Sequence, residues 1–296
     1  MPVAPLKHNA IYVALKEYKK AFRRKLALPK YLGHNHVCPI CQTHLHAFKP
    51  IWKSFMRLMT DAPSYPFKSL QTFNWQSYSC PACDSSDRER LIVLYLDRIS
   101  PPLDPQRRYR LVEFAPSSAL PRRLKRDPIF EYRSADLYRQ SVDDRIDLTD
   151  MQPYRDNSID VFICSHILEH IPDDRKAISE LHRVLNPEGF GILLVPLING
   201  RDSTEEDKSA TSREARLARY GDGDHVRQYG IRDFRHRLQA AGFQVELLGK
   251  DFFTAEAFQK AGIADDSVLY VVRKSGAPAR SHLKSERAAI GATTSP

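Results

Sequence analysis

The chain has 296 residues, 42% of them apolar, and carries a formal net charge of +9. That length accommodates one full α/β domain with a small accessory module, and the longest apolar run, Gly189 to Ile198, falls well short of the roughly 18 residues that a membrane helix needs. Residues 1–37 carry eight Lys/Arg against one Glu and residues 272–296 five against one, so the middle of the chain sits at about −2 and a basic nucleic-acid-binding body is disfavoured.

The first twenty residues mix lysines with Ala, Val and Tyr and lack an unbroken apolar core followed by a small-residue cleavage site, which predicts a cytoplasmic protein. From Asn9 to Leu28, Ile11, Leu15, Tyr18, Phe22 and Leu26 recur at spacings of three and four, the pattern of an amphipathic helix. Pro29 stops it, and residues 1–32 read as a basic helical unit.

From Gly33 to about Arg90 long periodic runs are scarce and four of the five cysteines fall here. Cys38-Pro-Ile-Cys41 and Cys80-Pro-Ala-Cys83 are two C-x-x-C knuckles separated by 38 residues. Two such knuckles supply the four thiolates of a tetrahedral zinc site, whose closed ligand set is structural because it leaves no position for substrate. Disulfides are the competing reading, but nothing suggests export. A zinc module over residues 33–92 is expected, with its own helix around Trp52 to Met59 and possession of one wall facing a substrate. Loss of Cys80 would then cost the metal and spare the sheet that follows. His34, His36, His44 and His46 crowd the first knuckle but are left outside the ligand set.

Beyond Arg110, apolar strand-like runs alternate with helical ones, the signature of a mostly parallel sheet covered by helices. Strands are predicted at Arg110 to Ala115, Phe130 to Ala135, Arg145 to Asp147, Ser158 to Cys164 and Gly189 to Pro196. A closing antiparallel hairpin follows from Gly242 to Leu248 and Ser267 to Arg273. Helices are predicted at Ser118 to Arg126, Asp173 to Leu185, Glu205 to Tyr220 and Ile231 to Ala241. The α/β domain is drawn over residues 93–274, and the Ser-, Ala- and Lys/Arg-rich segment 275–296 reads as a disordered tail. Cys164, the fifth cysteine, ends a buried strand and reads as a core residue.

In open parallel sheets, ligands bind beyond the carboxyl ends of the strands where strand order reverses. Glu113 is followed there by the small-residue turn Ala115-Pro116-Ser117-Ser118 leading into a helix, whose N-terminal amides suit an anionic group. Asp136 ends the second strand, where a carboxylate accepts ribose hydroxyls. Asp147-Leu148 offers an acceptor and an apolar neighbour to an adenine ring. Singly, each is a common turn or helix cap.

Taken in order, Glu113, Asp136 and Asp147, then Ser165-His166-Ile167-Leu168-Glu169-His170, resemble class I S-adenosylmethionine-dependent methyltransferases. The runs DLTD, NSIDVFICSHILEHI and RVLNPEGFGILLVP resemble that family's middle and later motifs. FAPSS, CPACDSSDRERL and DHVRQYG resemble, more narrowly, a bacterial branch that carries an N-terminal cysteine module. The resemblance spans about Cys38 to Arg273. It implies a Rossmann-like sheet, a structural zinc ion, and S-adenosylmethionine held by Glu113, Ala115, Pro116, Ser117, Asp136, Asp147, Leu148 and Ser165. It departs from the pattern in one place: Ala115, Ser117 and Ala119 occupy the family's glycine positions, with Pro116 between.

The expected activity is methyl transfer to a small-molecule or glycan hydroxyl. If the acceptor needs deprotonation, His225, His166 and His170 are the candidate bases. A polar insertion, Asn199 to Gly223, reads as a mobile lid, and His225 and Arg227, which follow it two residues apart, are expected to meet an acidic or hydroxylated acceptor. Two alternatives stand beside this. One is an RNA methyltransferase that grips nucleic acid with its zinc module and basic N-terminus; the other is a non-catalytic binding protein whose cofactor loop has degenerated. The sequence names neither the acceptor nor the oligomeric state.

Overall fold

A computed structural model describes residues 10–51, 66–99 and 103–276. The helix expected at Trp52 to Met59 and nearly all of the expected disordered tail lie outside the described residues. The N-terminal helix α1 (Ala10–Ala27) forms as its periodicity predicts, with Tyr18, Phe22 and Leu26 exposed on it. A two-stranded ribbon of β1 (Leu32–Val37) and β2 (His44–Leu45) then carries the first knuckle in its turn.

Ser79, Cys80 and the second knuckle lead straight into α2 (Asp87–Ile99), a helix for which no boundary is drawn from the sequence. Its start is nevertheless encoded. Ser86 and Glu89 form a reciprocal capping box, with Ser86 N donating to Glu89 Oε2 at 2.7 Å and Glu89 N donating to Ser86 Oγ at 3.3 Å. Leu91, Ile92, Tyr95, Leu96 and Ile99 then bury one face.

The sheet comprises β3 (Tyr109–Phe114), β4 (Phe130–Asp136), β5 (Asp144–Arg145), β6 (Ile159–Ser165), β7 (Leu185–Leu194), β8 (Phe243–Leu248) and β9 (Leu269–Lys274). Its order is β5-β4-β3-β6-β7-β9-β8. The first five strands pair in parallel, whereas β9 runs antiparallel to both β7 and β8. This is a Rossmann-like sheet, and strand order reverses between β3 and β6. The helices between strands are α3 (Leu120–Leu124), α4 (Asp174–Val184), α5 (Arg213–Tyr220), α6 (Ile231–Ala240), α7 (Lys250–Phe253) and α8 (Ala255–Ala261). The last two interrupt the β8–β9 connection, so the expected hairpin is antiparallel but not tight.

Strands β3 and β6 are buried nearly end to end, as parallel strands covered on both faces must be. Cys164 lies in that core at 1% exposure. The same continuous core takes in Cys38, Leu45, Phe48, Cys80 and Cys83 of the cysteine module. One joint fixes this docking. Gly262, which ends α8 in the left-handed conformation at φ 63°, packs so closely under Phe48 that a Cβ there would collide with the ring. Among the described residues, no helix is long and apolar enough to cross a membrane.

Candidate active site and metal centre

The four cysteines predicted to share a metal come together. Cys38 Sγ lies 3.7 Å from Cys83 Sγ, and Cys41 Sγ lies 3.8 Å from Cys80 Sγ. All four sulfurs fall within 4.8 Å of one another, and none forms a disulfide. A tetrahedron with zinc–sulfur arms of about 2.3 Å has edges of about 3.8 Å, so the donor set fits that ion.

The residues expected to hold the donor stand at or just beyond the carboxyl ends of β3, β4, β5 and β6. Glu113 is 3% exposed; its Oε1 accepts from Ser117 N at 2.9 Å and its Oε2 from the Tyr132 hydroxyl at 2.7 Å. Burial pushes its carboxyl up to about 7 against the lowering effect of those two bonds. Ala115, exposed at the strand end, takes the left-handed conformation at φ 47°, the conformation that glycine adopts without strain. Pro116 is buried, and its carbonyl accepts from Arg139 at 2.5 Å, which draws the loop after β4 over the turn. Ser117 Oγ accepts from Leu120 N at 3.2 Å and opens α3.

Asp136 spends Oδ1 on the amides of Tyr138 and Arg139. Leu137 and Tyr138, directly after it, are exposed. Asp147 likewise spends Oδ1 on Thr149, while Leu148 is buried and Ser165 half-buried at the end of β6. The Oδ2 of Asp136 pairs with Arg139 Nε at 3.8 Å, whereas the Oδ2 of Asp147 carries no hydrogen bond among the described residues.

A cavity of about 210 Å³ opens just beyond the ends of β6 and β7, lined there by His166 and Pro196 and by none of the residues expected to hold the donor. One wall comes from the segment between the knuckles, through Ile51, Leu70, Gln71, Phe73 and Tyr78; the other comes from Arg88, His166, Pro196, Tyr220 and His225. The segment between the two knuckles thus walls this cavity. The insertion Asn199 to Gly223 forms the rim through Tyr220 and Gly221. It is tied down by Glu205–Gln228 backbone pairing, by Ile231 N donating to Arg201, and by Arg219 pairing with Glu205 and Asp207.

His166, His170 and His225 converge on Glu169. His166 Nδ1 lies 3.3 Å from Glu169 Oε1 and His225 Nε2 lies 3.9 Å from it, while the rings of His170 and His225 meet edge-on with centroids 4.7 Å apart. Glu169 is 1% exposed, and burial pushes its carboxyl up to about 8. Burial, reinforced by neighbouring His170, holds His225 down at about 4, and burial with Arg88 drives His166 well below its ordinary value. Both imidazoles are therefore neutral at pH 7.

Arg227 does not face the acceptor as expected. It is buried, and its guanidinium donates to Glu206 and to the carbonyls of Leu168, Ile171 and Pro172. With Val226 N bonding Glu169 O, it fixes the loop that carries Glu169 and His170. Glu169 and Arg88 are the members of the site that the sequence reading leaves out. The HILEH spacing holds the signal for Glu169, since positions i, i+3 and i+4 share one side of a helical turn; Arg88 Nη1 stands 3.4 Å from His166 Nδ1 because the capping box aims the start of α2 at that loop.

A sequence profile described as "Methyltransferase domain" matches residues 123–193. The match holds Asp136, Asp147 and the HILEH loop but not the Glu113–Ala119 turn. No curated protein matches the chain. Among solved structures, the CurJ carbon methyltransferase is 17% identical, covering 64% of this chain and 53% of its own, with a TM-score of 0.42. The [4+2]-cyclase SpnF is 16% identical over 77% of this chain and 99% of its own, at a TM-score of 0.44. The YcgJ protein of Bacillus subtilis is 15% identical over 62% and 98%, at 0.39. The chain thus spans about half the length of the first of these. At such identities the likeness is one of fold, and a fold does not by itself assign an activity.

Proposed function

We propose that the protein transfers a methyl group from S-adenosylmethionine to a small polar acceptor, most simply a hydroxyl of a small molecule or glycan. The observation that carries this is the row of carboxylates, Glu113, Asp136 and Asp147, at or just beyond the ends of β3, β4 and β5, beside the strand-order reversal and a polar cavity. Asp136 would hold the ribose, Asp147 and Leu148 the adenine, and the turn Ala115-Pro116-Ser117 the amino-acid end, with Ser165 closing the floor. When bound, the donor supplies an electrophilic methyl carbon to the acceptor.

The chain's part is to position and to exclude water. Ile51, Leu70 and Phe73 keep the cavity apolar on one side, and Tyr78, Arg88, His166 and His225 give it polar contacts on the other. His166, a neutral imidazole on the cavity wall, offers the acceptor a hydrogen-bonding ring nitrogen. Among the described residues that line the cavity, Arg88 is the one Lys or Arg. The four cysteines would hold a structural zinc ion. The chain then divides into a basic helix (1–32), a zinc module (33–92) and a catalytic domain (93–274), as a bacterial branch of methyltransferases with cysteine modules would require.

Calorimetry with S-adenosylmethionine and S-adenosylhomocysteine, alongside Asp136→Ala, tests the reading. Binding to the parent with at least a tenfold loss in the variant supports it. A folded parent that binds neither compound overturns it in favour of a non-catalytic role.

A further inference from the structure

We propose that Glu169, His170 and His225 form a second metal site, for a divalent first-row transition ion, at the edge of the acceptor cavity and separate from the four cysteines. One ligand atom from each of the three lies within 4.8 Å of the others. Three features of their surroundings point to a cation.

Glu169 is buried to 1% exposure, yet among the described residues neither carboxylate oxygen accepts a hydrogen bond; the ring nitrogens of His166 and His225 stand 3.3 and 3.9 Å from Oε1. An orphaned buried carboxyl costs several kcal/mol unless something compensates it. The two histidines are oriented as metal-bound imidazoles are. His225 Nδ1 lies 3.2 Å from the Tyr220 carbonyl and His170 Nδ1 lies 3.3 Å from the Asp224 carbonyl. A carbonyl only accepts, so in each ring Nδ1 carries the hydrogen and Nε2 keeps its lone pair, the second-sphere arrangement that fixes a ligating histidine. The frame is also rigid. Val226 N bonds Glu169 O at 2.9 Å, and Arg227 grips Leu168, Ile171 and Pro172, so the loops bearing the three ligands cannot separate without breaking buried bonds.

Two imidazoles and one carboxylate suit Mn²⁺, Fe²⁺, Co²⁺, Ni²⁺ or Zn²⁺ rather than Mg²⁺ or Ca²⁺. Three protein ligands leave coordination positions open. His225 lines the cavity, so those positions face the acceptor, where the ion would orient an oxygen-bearing group and acidify its hydroxyl. That role rests on the proposed methyl transfer; the binding of the ion does not.

The test uses the full chain reconstituted with a single equivalent of zinc, which the four thiolates take first, titrated calorimetrically with Co²⁺, Mn²⁺ and Mg²⁺ in the absence of any donor compound. The parent should take up one ion beyond the equivalent held by the cysteines, Co²⁺ more tightly than Mn²⁺, and no Mg²⁺. Glu169→Gln, which keeps the side-chain shape, should weaken that uptake at least tenfold while retaining the first zinc. His170→Ala, at an exposed ligand, provides the same reading if the buried variant misfolds. A parent that takes up no second ion, or variants that bind it as tightly as the parent, overturns the site whether or not S-adenosylmethionine binds.

Discussion

The guanidinium of Arg90 donates to the carbonyl oxygen of Ala261 at 2.6 Å, so the helix that begins in the cysteine module is fastened to the end of α8, 171 residues further along the chain. The same group donates to the carbonyls of Ser77, Tyr78, Ser85 and Gly262 and stacks 3.9 Å over Phe48. Five donors in a planar fork meet five carbonyls. An ammonium has three donors and no fork. Arg90→Lys is therefore expected to strand buried carbonyls and to cost about 3 kcal/mol in urea denaturation. A loss below about 1 kcal/mol would show that the clamp is not made.

The shared core changes what loss of the metal should do. The sequence alone suggests that Cys80→Ser would spare the sheet, but Cys80 is buried in the cluster that includes Leu111 and Val161, and α2 starts seven residues later. Binding energy at a structural zinc site is folding energy. Stripping zinc with a strong chelator should then lower the melting temperature of the whole chain in one transition. Two transitions, with the later one unmoved from its value in the zinc-bound protein, would show instead that the module melts alone.

Much of this architecture is legible in the sequence because period and spacing carry it. The strands at Tyr109–Phe114 and Ile159–Ser165 follow from apolar runs, and the cysteine pairs declare their own geometry. The knuckle-to-sheet junction is not legible in that way: its helix starts among knuckle residues, and its decisive contact, Arg90 to Ala261, joins distant segments. Arg227 misleads for a related reason. A basic residue two positions from a candidate base looks like a substrate contact, yet the carbonyls of Leu168, Ile171 and Pro172 need its donors more.

Ala115 holds a left-handed φ of 47°. An L-residue loses roughly 1–2 kcal/mol in that conformation, against about 0.4–1 kcal/mol that glycine loses through the unfolded chain. Ala115→Gly should thus leave stability unchanged or raise it by up to about 1 kcal/mol, where most Ala-to-Gly exchanges lower it. Urea denaturation gives the sign. A clear destabilisation would mean that Ala115 does not adopt this backbone conformation.

Glu113 gives the fold a pH dependence of unusual sign for a carboxylate. Its carboxyl rises from 4.5 to about 7 through burial, so between those values the folded chain keeps a proton that the unfolded chain has released. Stability from this group is complete below pH 4.5, falls as pH rises, and is lost above pH 7. The shift corresponds to about 3 kcal/mol at most. Glu113→Gln preserves an acceptor for Ser117 N and a partner for Tyr132 but has no proton to lose. Its stability relative to the parent should therefore climb from pH 4.5 to pH 8, by up to that amount. A gap between the two that stays flat across this range would mean that Glu113 is ionised in the folded protein and that its carboxylate is compensated by more than the two bonds it makes to Ser117 and Tyr132.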